Sequence, residues 1–447
     1  MKRISIFGLG YVGLCTAACF AHKGFKVIGV DVDSERIKMI NERKAPICES
    51  GLNELLKTSV ESQMLHCTED CNYAVKNSNV SFITVGTPYQ RNGNVNLKYV
   101  QSVANDIGKT LRKKQKHHLI VLKSTVLPGT TENIIKPIIE KRSGKKCGLT
   151  FDICYNPEFL REGSAIEDIL NPDRIIIGEF TRKSGDILER LYCEFYGQKT
   201  PPVIRTKPST AELIKYANNA FLATKVSFIN TIANMCQAIP NADVTIVAKA
   251  IGFDKRIGPL SLNAGLGYGG SCLPKDVKAL ASFSKRLGIK PLFLKTVEEV
   301  NNLQPHTLLK LAEMLVGDIR GRRVAILGLA FKPNTDDVRD AVSMKVVNGF
   351  LDKKAEVIVY DPMAMRNAGK ILKNKVEYAS SAIECVDDAE CCVVVTEWPE
   401  FKTLRCEDFI GHMRTPTVID GRRIYNPEEF GRKLKFAAIG LGRRTND

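Results

Sequence analysis

Short apolar runs alternate with amphipathic stretches from the start of the chain. Arg3–Phe7 is short and apolar, residues 11–23 carry a helical pattern, and Lys26–Val30 is a second β-branched run. Further runs at 80–85, 119–123 and 174–177 continue the alternation. Short apolar runs between helices predict a parallel sheet covered on both faces. This first domain extends to about residue 200. The pattern then changes. Ser209 and Glu212 have the spacing of a capping box. A helical run follows without a breaker to Pro240, about 28 residues or about 42 Å. That length exceeds the usual helix of one globular domain and predicts a spine joining domains or a subunit interface. The next segment reads as helical apart from a glycine-rich interruption at 263–271. From Gly321 onward strands are expected at Arg323–Leu327, 357–360, 391–396 and 417–419, with a helix over 342–353. The expected fold class is α/β: two doubly wound, Rossmann-like domains joined by a long central helix and a helical domain. The expected boundaries are 1–200, 201–315 and 316–447, in keeping with 447 residues at roughly 150 per domain.

Composition narrows the class. Hydrophobic residues make up 44% and charged residues 26%, which excludes a disordered, collagen-like or pure coiled-coil chain. No stretch reaches the ~18 consecutive apolar residues of a membrane helix, so no membrane partner is expected. The formal charge of +16 favours an anionic partner. The excess is spread along the chain. Its densest run, Arg112-Lys113-Lys114-Gln115-Lys116-His117-His118, falls where a helix should end, so these cations are expected to complement the helix dipole and face water. No nucleic-acid partner is expected. The fourteen cysteines are irregularly spaced, and Cys15, Cys19, Cys391 and Cys392 lie in apolar runs. They read as reduced, buried small hydrophobes of a cytoplasmic protein. The chain has no C-x-x-C pair, so no structural metal is expected. Met1-Lys2-Arg3 before an apolar stretch has the look of a secretory leader. The fixed glycine spacing and the strand that follows mark it instead as the first βαβ unit.

Three motifs carry chemistry. Gly8-Leu9-Gly10-Tyr11-Val12-Gly13 follows the first strand and opens the first helix, as a dinucleotide fingerprint does. Asp31 closes the second strand, where a carboxylate would hold a ribose 2′-hydroxyl and repel a 2′-phosphate, favouring NAD over NADP. The second α/β domain lacks the fingerprint; its first strand runs into Gly328-Leu329-Ala330-Phe331-Lys332-Pro333. There Lys332 is either a phosphate ligand or an exposed loop lysine. The third motif is Gly265-Leu266-Gly267-Tyr268-Gly269-Gly270-Ser271-Cys272-Leu273-Pro274-Lys275-Asp276. Its four glycines would let backbone approach a ligand. Cys272, beside cations and a helix start, is a candidate nucleophile. Lys215 and Asn219 share a helix face. Glu158 and Glu162 have the same spacing after Asn156-Pro157, a candidate helix start, where carboxylates would do acid/base work or favour the helix N-terminus.

Together with Thr84-Val85-Gly86-Thr87-Pro88, Lys123-Ser124-Thr125-Val126, Asn156-Pro157-Glu158-Phe159-Leu160, Lys215-Tyr216-Ala217-Asn218-Asn219-Ala220 and Phe331-Lys332 with Arg339, these segments resemble the UDP-glucose/GDP-mannose dehydrogenase family over essentially the whole chain. The resemblance implies an NAD domain, a central dimerising helical domain and a nucleotide-sugar domain, forming a homodimer or higher homo-oligomer. It implies four-electron oxidation of C6 of a nucleotide-linked hexose, consuming two NAD. Catalysis would fall to Cys272 as nucleophile, Lys215 and Asn219 at the oxyanion, Asp276 in proton transfer, Glu158 in acid/base steps and Thr125 at a water. NAD would be held by Gly8, Gly10, Tyr11, Val12, Gly13, Asp31, Arg36, Thr87, Ser124, Thr125, Glu162, Lys275 and Arg339. The nucleotide sugar would be held by Glu158, Phe159, Leu160, Arg161, Lys215, Asn219, Asn263, Gly267, Tyr268, Gly269, Phe331, Lys332 and Arg422, with Arg256 reaching it across a dimer. Asp254-Lys255-Arg256-Ile257-Gly258-Pro259 and Asn171-Pro172-Asp173-Arg174 resemble the UDP-glucose branch, which implies UDP-glucuronate as product. GDP-mannose and UDP-N-acetylhexosamines are the alternative substrates. Leu260-Ser261 and Thr231 depart from the family pattern outside the catalytic set.

Overall fold

A computed structural model of the chain describes residues 3–89, 93 and 95–443 and divides into two compact units, Met1–Asn218 and Asn219–Asp447. Met1 and Lys2, which begin the leader-like pattern, lie outside the described residues.

The first unit is built on an eight-stranded sheet: β1 (Arg3–Phe7), β2 (Lys26–Val30), β3 (Leu65–Thr68), β4 (Val80–Ile83), β5 (His118–Leu122), β6 (Phe151–Tyr155), β7 (Ile175–Glu179) and β8 (Val203–Thr206). Their order is β3-β2-β1-β4-β5-β6-β7-β8. Neighbours pair parallel except β6 and β7, so the last two strands run against the rest. The central strands are apolar throughout because alternate residues serve opposite cores. Leu119 and Val121 pack with Ile4, Ile6 and Phe82 on one face. Ile120 and Leu122 pack with Phe7, Ile83 and Val100 on the other. Burial on both faces is what a covered parallel sheet requires.

Several expectations are corrected here. The 112–118 run does not simply face water. The helix Lys98–Leu111 ends as expected, but Lys114 and His118 are buried. The Lys114 ammonium donates to the carbonyls of Val75 and Ser78 and lies 3.0 Å from His118 Nδ1, while Ser81 Oγ meets His118 Nε2 at 2.7 Å. Free carbonyls at the neighbouring helix end provide a better partner than water. Ser209 and Glu212 form no capping box: the helix runs Pro208–Ala238, and the Glu212 carboxylate accepts from Gly129 N at 2.5 Å and Thr131 N at 2.8 Å. Residues 156–161 after β6 are irregular rather than helical, so Glu158 and Glu162 do not share a helix face. The strands at 65–68, 151–155 and 203–206 come in addition to those the pattern predicts.

The second unit holds a six-stranded sheet, all parallel: β9 (Arg323–Leu327), β10 (Glu356–Tyr360), β11 (Glu377–Tyr378), β12 (Cys391–Val394), β13 (Thr417–Asp420) and β14 (Lys435–Ala438), ordered β11-β10-β9-β12-β13-β14. Before it come the helices Val244–Gly252, Leu273–Arg286 and Leu292–Val316. Its opening turn repeats that of the first unit. Gly8 and Gly328 have φ of 93° and 102°, the left-handed region that favours glycine. Leu9 N donates to Asp31 Oδ2 at 2.6 Å, and Leu329 N to Asp361 Oδ2 at 2.7 Å. The two carboxylates differ in company. Asp361 also accepts from Ala330 N, Met363 N, Ala364 N and Trp398 Nε1, and is fully enclosed.

Among the described residues no helix is long and apolar enough to cross a membrane. Eleven of the fourteen cysteines are buried or half-buried; Cys48, Cys193 and Cys272 are exposed.

Asp361→Ala strips the acceptor from five enclosed donors, and should cost roughly 3 kcal/mol or more. Trp398 is the only tryptophan. Its fluorescence in a urea titration should therefore report a lower midpoint for this unit; an unchanged midpoint would show the donors to be satisfied elsewhere.

Candidate active site

In the first unit the three fingerprint glycines are used differently. A side chain on Gly8 would strike Val85, and one on Gly13 would lie 1.8 Å from the Gly8 carbonyl. Gly10 faces open space. It caps the helix Tyr11–His22, and no side chain bonds the helix end, so its first amides point at an anion position. Val12 lies in that first turn; the Tyr11 hydroxyl donates to the Cys48 carbonyl. Burial, then Glu49 and Glu162, push that phenol well above its ordinary range. Asp31 pairs with Arg36 at 3.3 Å. The neighbouring loops are knitted by hydroxyls: Thr84 to the Phe7 and Gly8 carbonyls, Ser124 to Val85, and Thr87 to Thr125, the last two at 2.7 Å.

Beyond β5 and β6 lies a buried charge cluster. The Lys215 ammonium sits 2.9 Å from Glu158 Oε1, and both side chains are under a tenth exposed. Glu158 Oε2 accepts from Leu160 N at 2.7 Å. Burial alone would raise this carboxyl, but Lys215, aided by the Leu160 amide and Lys123, holds it below its usual range. Lys123 donates to Asn156 Oδ1 at 2.9 Å, which also accepts from the Tyr192 hydroxyl. Burial pushes Lys123 down to about 8, with Glu158 opposing and Lys215 reinforcing. Phe159 lies beneath two cations, the Arg174 guanidinium at 4.2 Å and the Lys215 ammonium at 5.3 Å. Arg161 points to the surface and pairs with Asp168.

In the second unit Cys272 is the exposed N-cap of the helix Leu273–Arg286. That position favours a thiolate through the helix dipole. Ser271 Oγ lies 3.5 Å from the sulfur. In the first turn, Asp276 is buried, accepting from Asn219 Nδ2 at 2.6 Å and Lys275 Nζ at 2.5 Å. The space beside each α-carbon of the four glycines before Cys272 is taken by the protein itself. Side chains there would meet Arg422, Asn301, the Asp340 carbonyl and the Phe331 ring, at 2.5–3.0 Å. The chain packs on itself, and the loop is held by Asn301 to both backbone groups of Tyr268, by Gln304 to the Gly265 carbonyl and by Asn230 to its amide.

A cavity of about 680 Å³ opens beside this loop. Asn263, Gly267, Tyr268, Gly269, Phe331, Lys332 and Arg422 all line it. Lys249, Lys402 and Arg423 add cations that the sequence reading missed, against one carboxylate, Glu397. Such a wall suits a polyanion. Arg422 donates to the Val395 carbonyl at 2.6 Å, and the enclosed Asp420 fixes its loop through the amides of Arg422, Ile424 and Tyr425. Arg256, expected at the sugar, and Arg339, expected at NAD, do not line the cavity. Arg256 is at the surface, paired with Asp254 at 2.6 Å, and Arg339 is exposed and paired with Asp337 at 2.6 Å. Asn301 and Gln304, three apart and buried on the helix Leu292–Val316, carry no distinct sequence signal, because polar residues such as Glu298, Glu299 and Asn302 surround them. Among the described residues no group of three or more His, Cys, Asp or Glu is arranged to hold a metal ion.

Comparison with known proteins identifies the family. Residues 2–196 match the family model for the UDP-glucose/GDP-mannose dehydrogenase NAD binding domain, 209–303 that family's central domain and 325–427 its UDP binding domain. The chain is 41% identical to the UDP-glucose 6-dehydrogenase AglM of Haloferax volcanii, over 96% of this chain and 98% of that protein. It is also 41% identical to TuaD, a UDP-glucose 6-dehydrogenase of Bacillus subtilis, over 96% and 91%. A UDP-glucose dehydrogenase structure from Pyrobaculum islandicum superposes with a TM-score of 0.91 at 38% identity, covering 99% of this chain and 98% of that one. The chain is thus an NAD-dependent oxidoreductase that belongs to the UDP-glucose/GDP-mannose dehydrogenase family.

Proposed function

We propose that the protein oxidises UDP-glucose to UDP-glucuronate. The observation that carries the reading is the exposed Cys272 at a helix N-terminus, next in the chain to a loop lining a cation-walled cavity. The names and identity of the relatives support UDP-glucose over other nucleotide sugars. NAD, when bound, would supply the hydride acceptor for each of two oxidations. The first takes hydride from C6 and a proton from its hydroxyl, giving an aldehyde. The Cys272 thiolate then adds to the carbonyl carbon and forms a thiohemiacetal. Loss of a second hydride gives a thioester, which water cleaves to the carboxylate, releasing the thiolate. The balance is one alcohol, two NAD and one water to one carboxylate, two NADH and three protons. The covalent bond retains the intermediate while the cofactor is exchanged.

In this mechanism Lys215 and Asn219 stabilise the oxyanion, the contribution that usually dominates such steps. Asp276, hydrogen-bonded by Asn219 and Lys275, passes protons with Lys215. Glu158 assists acid/base steps and Thr125 positions the hydrolytic water. The lining residues Lys332 and Arg422 take the diphosphate, Phe331 and Tyr268 the apolar surfaces, and Asn263, Gly267 and Gly269 the sugar side. Gly8, Gly10, Gly13, Asp31, Arg36, Thr87 and Ser124 hold NAD. Residues 1–200, 201–315 and 316–447 act as cofactor, dimerising and nucleotide-sugar segments, working in the cytosol.

The dimer reading rests on exposed apolar side chains. Phe221 and Phe228 on the long helix are 64% and 53% exposed, whereas Ile229 is in the core. Covering each exposed ring would contribute roughly 1.5–3 kcal/mol.

Two NADH should form per UDP-glucose with no free aldehyde. Cys272→Ala should abolish the acid product; full turnover to uronate by that variant would sink the mechanism. A panel of UDP-glucose, UDP-N-acetylglucosamine and GDP-mannose should give the highest kcat/KM with UDP-glucose. Asp31→Ala should weaken NAD binding and improve use of NADP, because Arg36 is released to meet a 2′-phosphate; an unchanged NAD/NADP ratio would count against Asp31. If Arg256 serves the other subunit, mixing Arg256→Ala with Cys272→Ala should recover activity once subunit exchange is verified. No recovery would mean that it does not.

A further inference from the structure

Glu212 is a fully buried carboxylate that the mechanism above does not use. It projects from the long helix into the segment that follows β5. Its Oε2 accepts from Gly129 N at 2.5 Å, and its Oε1 accepts from Thr131 N at 2.8 Å and Thr131 Oγ1 at 2.6 Å. Thr131 opens the helical run 131–143, so the carboxylate also meets the positive end of a helix. Around it Ala211 packs with Val126 and Ile135, and Ile214 lies against the same cluster.

The segment it grips carries Ser124 and Thr125, which the reading above assigns to NAD and to the hydrolytic water. Lys123, Ser124 and Thr125 begin it. Their end is tied to the strand-end loops by Ser124 to Val85 and Thr87 to Thr125. The far end is tied only to the long helix, by the three bonds to Glu212, among the hydrogen bonds described for Gly129 and Thr131 to side chains. Lys215, three residues further along that helix, is engaged with Glu158. Glu212 therefore fixes how far the helix bearing Lys215 stands from the segment bearing Thr125.

We propose that Glu212 is a positioning residue of the oxidation: its ionised carboxylate clamps the 124–131 segment to the long helix and so sets Thr125 against the Glu158–Lys215 pair. The inference rests on the dehydrogenase reading above, but its central contact is testable without substrate. Only the ionised form offers acceptors to all three donors; a protonated carboxyl brings a hydrogen of its own among N–H and O–H groups. Burial, opposed by the bonds from Thr131 and Gly129 and aided by Glu132 on the capped helix, pushes this carboxyl up to about 7. Lys215 on its own helix is committed to Glu158. The clamp is thus complete above about pH 7 and loosens as pH falls through that value.

The test compares wild type, Glu212→Gln and Thr131→Val in the full-length protein. Glu212→Gln turns an amide toward donors, whereas Thr131→Val removes one donor and spares the two backbone bonds. In wild type, kcat should fall as pH drops through about 7. Glu212→Gln should lower kcat roughly ten- to a hundredfold, the scale of a small misplacement of reacting groups. It should flatten that limb and leave KM for NAD within about twofold. Thr131→Val should lie between the two. Hydrogen exchange of the Gly129 and Thr131 amides, corrected for intrinsic rate and measured without ligand, should lose protection in Glu212→Gln. In wild type that protection should be weaker at pH 6 than at pH 8. A Glu212→Gln enzyme with normal kcat, or one whose kcat and NAD KM worsen together with an unchanged pH profile, would overturn the proposal. So would exchange protection that is indifferent to pH and to the substitution. If wild type forms no NADH from UDP-glucose, the substrate reading fails, and the exchange measurement still decides on the clamp.

Discussion

The contact on which the candidate chemistry depends most is the buried pair of Glu158 and Lys215. Neither charge would be tolerated alone at that depth, since removing one partner of a buried pair typically costs several kcal/mol. The pair joins an irregular segment after β6 to the long helix. It also explains why residues 156–161 are not helical: the Glu158 carboxylate is spent on Lys215 and on the Leu160 amide, which a helix would have turned elsewhere. Lys123 is a second buried cation near the pair; it donates to Asn156, and burial lowers its affinity for a proton.

In the second unit the governing constraint is steric. The loop before Cys272 is glycine-rich because its own chain occupies the space beside each α-carbon. Asn301, Gln304 and Asn230 then fix that loop through backbone groups, and the helix Leu273–Arg286 takes its start from it. The Cys272 thiol is consequently placed by the packing of this loop, with Ser271 Oγ 3.5 Å from the sulfur. The acidic residue one turn on is buried and doubly bonded, while the sulfur is open to solvent.

The sequence pattern was a good guide wherever local rules decide. β1 and β2 were legible because apolar runs between turns have few alternatives, and the steric demands at Gly8 and Gly13 followed from their spacing. It misled where a tertiary partner outbid a local one. Glu212 has capping-box spacing, yet a distant helix end offered it three donors. Lys114 belongs to an ordinary-looking basic run, yet two carbonyls drew it inside. The strand Phe151–Tyr155 was missed because Asp152 interrupts its apolar run; that aspartate is buried but satisfied by His117 and Thr181. Cations of the cavity wall such as Lys249 and Lys402 come from separate helices and loops, and no spacing rule links them.

The two opening turns also carry a lesson about what each glycine answers to. In the first unit Gly8 and Gly13 are forced by the backbone, whereas no described atom of the protein lies within 4 Å of a side chain placed on Gly10. The second unit keeps Gly328 in the left-handed conformation and has Ala330 two residues on, its amide donated to Asp361. The turn has been retained and the vacancy has been filled. Position 10 is thus where this architecture can shed dinucleotide binding without losing its fold. A library randomised there should yield folded proteins deaf to the cofactor, whereas one randomised at position 13 should yield few folded proteins at all.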